Sequence, residues 1–163
     1  MDATNKSFNI ITSLDKYLYD NLVTTQGMTI DWEGGDSVDI SKVNEWIQPR
    51  IMMGVGNYIG GGASPDQQGQ ETHLLYNVNI FVKRGSTTQK NRLQAIRDIV
   101  ASYYTIGKTI NLYDYADTDA VVEQMLIRDI ETDSVIPPDA RSEEESTYYQ
   151  YNYTPTIVVI QRW

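Results

Sequence analysis

The segment that most constrains this chain is THLLYNVNIFVKR, in which apolar and polar side chains alternate. Tyr76, Val78, Ile80 and Val82 lie on one side of an extended backbone, with polar residues between them. A strand with one apolar side needs a second element to cover it. The next segment supplies one, because GSTT ends the strand and QKNRLQAIRDIVASYY repeats apolar residues at helical spacing. The sequence therefore predicts a strand followed by a helix that packs on it.

The same patterns predict the remaining elements. Residues 7–22 read as an amphipathic helix, with Asp15, Lys16 and Asp20 away from its apolar side. Further strands are predicted at 28–32, 45–55, 108–115, 120–131 and 147–163, with long loops at 56–70 and 132–146. Pro49 indicates an edge strand or a bulge. This order predicts one α+β domain over residues 1–163, a mainly antiparallel β-sheet with two α-helices packed on it.

Charge and composition exclude several classes of function. The chain has 22 acidic and 13 basic residues, a formal net charge of −9, and no cysteine. Bulk electrostatics do not hold such a protein on nucleic acid or on an anionic membrane. Without cysteine there are no disulfides, thiolate metal sites or cysteine nucleophiles. The apolar runs are too short to span a bilayer, and the N-terminus lacks the pattern of a signal peptide. We expect a soluble protein made in the cytoplasm, with no membrane partner.

The glycine-rich segment GVGNYIGGG, Gly54–Gly62, resembles a phosphate-binding loop at first sight. The third glycine of a dinucleotide-binding fingerprint would fall on Ile59, and no helix comes next whose N-terminus could face a phosphate. We interpret Gly54 and Gly56 as a bend or bulge at the end of a strand. The rest is interpreted as a mobile arm that contacts a neighbouring subunit or partner. The candidate contact residues there are Tyr58, Gly60, Gly61 and Gly62.

Histidine and acidic residues give little support for a catalytic or metal site. His73 is the only histidine, and Ser64 and Asp66 nearby belong to no nucleophile motif. The acidic segment 31–39 lacks the ligand order of a calcium-binding loop and is interpreted as a solvated turn. We predict no catalytic residues, no metal and no cofactor, and we expect that the chain is not an enzyme.

Tyrosine is over-represented, with 12 residues against 2 phenylalanines. Tyr149, Tyr151 and Tyr153 recur at period two and share one side of the last strand. They either pack on a helix or contribute to a subunit interface. Stacking on single-stranded nucleic acid is disfavoured, because acidic residues precede the segment where a basic groove would be needed.

The order and size of these elements resemble the phage tail terminator family, the gpU-like tail completion proteins. The resemblance covers most of the chain and is carried by six segments: SFNIITSLDKYLYDNL, IDWEGG, PRIMMGV, LYNVNIFVKRGSTT, KNRLQAIRDIV and YTPTIVVIQRW. The chain departs from the family pattern at 114–146, which is longer than expected and contains an acidic loop.

The resemblance implies a virion structural protein of the tail or neck. It implies a homo-oligomeric ring, typically a hexamer, that is stacked on the last ring of tail tube protein and ends its growth. The ring would face a head-side connector or stopper protein, and genomic DNA would pass through its lumen without sequence-specific binding. Two alternatives are another neck adaptor, such as a head-completion or stopper protein, and a small ligand-binding domain or enzyme that uses the Gly54–Gly62 loop.

Overall fold

The computed structural model describes residues 6–59, 69–85, 87–116, 120–137 and 147–162. Two α-helices and five strands form in these ranges: α1 (Lys6–Leu18), β1 (Glu45–Ile59), β2 (Gly69–Lys83), α2 (Thr87–Tyr103), β3 (Thr109–Asp114), β4 (Ala120–Ile136) and β5 (Tyr148–Arg162). A π-helical segment, Tyr19–Thr25, continues α1. The strands pair antiparallel in the order β1-β2-β5-β4-β3. The predicted fold class, α+β with a mainly antiparallel sheet and two helices, is confirmed.

Both helices contribute to one core on one face of the sheet. The alternation of β2 is realised as predicted, since Tyr76, Val78 and Ile80 are fully buried. The apolar side of α2 meets this face, and α1 covers it beside β3. The helical residues in this core are Ile10, Leu14, Leu18, Leu22, Leu93, Ile96 and Val100. Burial of each large apolar side chain contributes about 1.5–3 kcal/mol, which explains why the helices stay on this face.

One predicted strand and the bounds of two predicted loops are wrong. The strand predicted at 28–32 is reduced to a single parallel bridge between Ile30 and Ile47. The predicted loop at 56–70 is shorter, because Gly56–Ile59 continue β1 and pair with the start of β2. The predicted loop at 132–146 begins later, because β4 extends to Ile136 and pairs with β5. Bulges between Ile127 and Asp129 and between Ile130 and Thr132 break the alternation that would have revealed this part of β4.

Polar side chains attach α1 to the end of β3. The Asn9 amide donates to the carboxylate of Asp114 at 3.2 Å and accepts from the backbone N–H of Tyr115 at 3.1 Å. The hydroxyl of Ser13 accepts from the backbone N–H of Tyr113 at 3.0 Å. Asn9, Ser13 and Asp114 are buried, so these bonds satisfy polar groups that would otherwise be costly. They hold α1 in a defined position, with its polar side toward the segment 32–35.

Candidate interaction surfaces

The tyrosine stripe of β5 lies against α2. Tyr151 and Tyr153 are 7% and 3% exposed, and Tyr149 is half-buried. The Tyr153 hydroxyl donates to the backbone carbonyl of Tyr104 at 3.0 Å, and the Arg97 guanidinium lies 5.7 Å from the Tyr153 ring centre. Within a single chain, Tyr151 and Tyr153 therefore pack on a helix, which is one of the two alternatives that the sequence left open. A role for the stripe in a subunit interface stays a prediction.

Arg97, Asp133 and Tyr151 form a charged network at the edge of this stripe. Arg97 donates two hydrogen bonds to the Asp133 carboxylate, one of them at 2.9 Å, and the Tyr151 hydroxyl donates to the same carboxylate at 2.7 Å. The bonds from Arg97 hold the pKa of Asp133 below its ordinary value. Burial raises the pKa of Tyr151. The network connects α2, β4 and β5, and its charges are matched within the chain.

The glycine-rich segment divides at the end of β1. A register shift lies between Met53 and Gly56, which confirms the predicted bulge. A Cβ atom on Gly54 would collide with the carbonyl oxygen of His73, so only glycine fits there. Tyr58 lies in β1 opposite Gln70 of β2. The predicted contact residues Gly60, Gly61 and Gly62 lie outside the described residues.

The β1 end of the sheet has a partly covered edge. The N–H and C=O of Ile47 both point outward and bond to residues 29 and 31. Backbone groups alternate along an antiparallel strand, so Pro49, two residues on, also faces outward and has no N–H to offer. In the part of the chain that the structure describes, no strand pairs with the outer side of β1 beyond this point. Met52 and Met53 are exposed there.

The other end of the sheet also has an open edge. β3 pairs with β4 only as far as Leu126, and Ile127 then bonds to Lys108 and Gly107. Among the described residues, nothing pairs with the outer side of β4 from there to Ile136. This half of β4 is rich in acidic residues and contains both bulges, in contrast to the apolar β1 edge. The two edges therefore present different chemistry.

An open groove of about 730 Å³ lies between α1 and the segment 32–35. Three of the residues that line it are aromatic, and three carry carboxylates. A smaller cavity of about 270 Å³ adjoins it against the edge of β1 and shares Asp15 and Glu33 with it. The charged and aromatic residues that line the groove are Asp15, Lys16, Tyr19, Asp20, Trp32, Glu33 and Tyr115. The other residues that line the smaller cavity are Ile11, Pro49, Ile51 and Met53.

The charges in this groove are unbalanced. Asp15 is partly buried, and burial raises its pKa to about 6, with a further contribution from the negative charge of Glu33. Within the described residues, neither Asp15 nor Glu33 has a hydrogen-bond donor or a cation as partner. Lys16 and Asp20 also line the groove, and they pair with each other at 2.7 Å. Sequence reasoning placed Asp15 on the polar side of a helix and Glu33 in a solvated turn, and it gave no signal that they meet.

The residues considered for catalysis do not converge in the described structure. His73 Nε2 lies 2.5 Å from Glu71, which also accepts from Arg128 at 3.1 Å, while Ser64 and Asp66 lie outside the described residues. The described part of the chain holds no group of three or more potential metal ligands. No helix in the described ranges is long and apolar enough to cross a membrane.

Comparison with known proteins defines the fold alone. No family model and no curated protein matches this chain. A solved structure, of a protein that carries a sequence identifier in place of a functional name, superposes on it with a TM-score of 0.63. The superposition covers 96% of this chain and 96% of that chain, at 9% sequence identity. The five-stranded arrangement is therefore shared over nearly the full length of both, with little sequence in common.

Proposed function

We propose that this chain is a structural virion protein of the phage tail terminator type. In this proposal, identical subunits form a closed ring, a hexamer, that ends the tail tube and joins it to the head-side connector. Genomic DNA passes through the lumen. The observation that carries the proposal is that one antiparallel sheet has two different open edges, the outer side of β1 and the side of β4 beyond its pairing with the short strand β3.

Two unlike edges suit a head-to-tail ring. A head-to-tail ring needs two different patches on each subunit, because the front of one subunit contacts the back of the next. Exposed strand edges form such contacts by strand addition. The β1 edge is apolar and contains Pro49, whereas the β4 edge is acidic and bulged. This difference favours contact between unlike edges, since two acidic β4 edges repel each other.

The tail assignment is supported by the order of the elements and by charge. The chain has the helix, strand, helix, strand order on which the resemblance to tail terminators rests, and its fold class fits that family. A net charge of −9 suits a channel wall along which DNA slides, because like charges repel it. The partners in this proposal are further copies of the chain, the tail tube protein and a connector or stopper.

Native mass spectrometry with negative-stain imaging tests the proposal directly. We expect a closed homo-oligomer with a central hole, either for the purified chain or after tail tube protein is added. Only monomers under both conditions would reject the ring. Binding to a connector but never to the tube would favour a stopper. A thermal shift with nucleotides or metal ions would favour the ligand-binding alternative.

A matched pair of proline variants tests the β4 edge. The Ile127 N–H points to the outer side, and Ile127 pairs with Ile157 while Val135 pairs with Tyr151. The ladder between β5 and β2 has no register shift, so the backbone groups of β5 alternate regularly. Ile157 and Tyr151 are an even number of residues apart and therefore point the same way. The backbone N–H of Val135, opposite Tyr151, consequently points to the outer side, like that of Ile127. Ser134 faces β5.

Val135→Pro therefore removes a donor on the open side, whereas Ser134→Pro removes an internal ladder bond. We expect Val135→Pro to keep most of the monomer's thermal stability and to lose the oligomer. We expect Ser134→Pro to lose about 3 kcal/mol of folding free energy. An intact ring with Val135→Pro would exclude the β4 edge from the contact.

A further inference from the structure

The groove between α1 and the segment 32–35 holds two carboxylates that the chain itself does not neutralise. We propose that this groove docks a protein segment that carries an arginine or lysine. The cationic group would lie between Asp15 and Glu33, and its aliphatic stem would lie on the aromatic wall. The inference does not depend on the ring, since any protein partner with such a side chain would fit.

Charge complementarity carries the argument. Two carboxylates that face one cavity repel each other, and the repulsion rises as the cavity is shielded from water. The nearby basic side chains have other partners, since Lys16 pairs with Asp20 and Arg50 pairs with Asp31. A cation that enters from outside would remove the repulsion and donate charge-assisted hydrogen bonds to both carboxylates.

The walls of the groove fit the rest of such a side chain. Tyr19, Trp32 and Tyr115 line the groove together with the carboxylates. Aromatic faces attract a guanidinium or ammonium group, and they pack against the methylene groups of its stem. A small anion would meet two like charges here, and a purely apolar ligand would leave both carboxylates without a partner.

The adjoining cavity favours a large apolar residue beside the basic one in the docked segment. Ile11, Pro49, Ile51 and Met53 line this cavity, and it shares Asp15 and Glu33 with the larger groove. It borders the open side of β1, where an extended segment could lie alongside the strand. A basic residue next to a large apolar one would therefore fill both spaces.

The test uses the full chain and two tripeptides, acetyl-Ala-Arg-Leu-amide and the same peptide with citrulline in place of arginine. Citrulline keeps the shape of arginine and removes its charge. We expect saturable NMR shifts of the Trp32 indole and of the backbone amides of 32–35 with the arginine peptide. With the citrulline peptide, or with the variants Asp15→Asn and Glu33→Gln, we expect binding to weaken by roughly tenfold, as for the loss of one charge-assisted contact.

Controls separate docking from general electrostatics. Glu131→Gln removes an exposed carboxylate of β4 and is expected to leave binding unchanged. The melting temperatures of all variants are measured in parallel, so that a loss of fold is recognised. Equal binding of both peptides, or no saturable shift with either, would overturn the proposal. A response to calcium alone, without one to the arginine peptide, would assign the carboxylates to a metal ion and overturn it as well.

The pH dependence gives a second readout. The Asp15 carboxylate interacts electrostatically with Glu33 and with the phenols of Tyr76 and Tyr104, and it shares the groove with the Lys16–Asp20 pair and Tyr115. A cation binds the ionised carboxylate, so affinity for the arginine peptide should rise as pH increases through about 6. Affinity in Asp15→Asn should not change over that interval. A wild-type affinity that is flat over the same interval would contradict the placement of the cation.

Discussion

Two aspartates at the rim of the same core have opposite surroundings. Asp133 accepts hydrogen bonds from Arg97 and from Tyr151, and its pKa is lowered. Asp15 lies in the groove beside Glu33, and burial together with that like charge raises its pKa to about 6. The first carboxylate is neutralised within the chain and stabilises the fold. The second is a cost in the free chain, which a partner's cation would offset.

The largest effect on stability is expected from Tyr151→Ala, which removes the aromatic ring whose hydroxyl donates to Asp133. Tyr151 is 7% exposed, and truncation of a buried aromatic side chain costs about 3 kcal/mol. For a chain of this size we expect the melting temperature to fall by roughly 10 °C. Tyr151→Phe removes only the hydroxyl and should cost about 1 kcal/mol.

Calorimetry and native mass spectrometry on the same samples distinguish the two roles of the stripe. Loss of stability without loss of oligomer would give Tyr151 a purely intramolecular role. Loss of oligomer with an unchanged melting curve would contradict the packing of Tyr151 against α2 and favour an interface.

The next effect is that of Asp133→Asn, which breaks the Arg97 pair. The folded-state pKa of Asp133 is depressed, so its contribution is present above the ordinary value of 3.8 and is lost as pH falls through the folded value. Allowing for partial exposure of both side chains, we expect a loss of about 1 kcal/mol at neutral pH. The difference from wild type should shrink below about pH 4.

Urea unfolding at several pH values measures this dependence. Asp129→Asn on the same strand is the control, because Asp129 is exposed and its replacement should change stability by less than about 0.5 kcal/mol. A loss at Asp133→Asn that stays constant down to low pH would show that packing, rather than charge, carries the effect.

The surroundings of Asp133, the carboxylate that is neutralised within the chain, were partly predictable from the sequence. The alternation in the last strand predicted that Tyr151 and Tyr153 share one side. The strand at 72–84 and the amphipathic helix that follows it predicted a helix that packs on the sheet. Asp133 was predicted to lie in a loop, because two bulges in β4 interrupt its alternation just before Asp133. Local periodicity detects regular strands and misses those in which extra residues shift the pattern.

The proximity of Asp15 and Glu33 was not predictable from the sequence. The sequence places Asp15 on the polar side of a helix and Glu33 in a turn, and each is ordinary in its local sequence. They meet because the bonds from α1 to β3 and from residues 29–31 to β1 position the helix and the segment 32–35 beside each other. Such contacts depend on the tertiary path of the chain, which neither composition nor spacing encodes.

Asp15→Asn is expected to have the opposite sign to Asp133→Asn. The folded-state pKa of Asp15 is raised to about 6 from 3.8, so its stabilising contribution is present at low pH and is lost as pH rises through about 6. We expect the variant to be more stable than wild type by about 1 kcal/mol above pH 7, after allowance for solvent screening, and equal to it below about pH 4.

Urea unfolding across this interval checks the sign, with Asp36→Asn in the neighbouring exposed turn as the control. A destabilised Asp15→Asn at neutral pH would mean that the ionised carboxylate already has a partner in the free chain, and the two aspartates would then be alike.

The smallest effect is expected from Glu33→Gln, which removes the like charge and leaves the burial of Asp15 unchanged. Burial is the larger cause of the raised pKa, so the pKa of Asp15 should fall only part of the way from about 6 toward 3.8. The stability gain should be a few tenths of a kcal/mol. Carboxyl-detected NMR titration of Asp15 measures the shift. Full return to the ordinary value would make Glu33, rather than the wall of the groove, the dominant influence on Asp15. The groove would then be a carboxylate pair open to water, and its affinity for a cation should fall steeply with added salt.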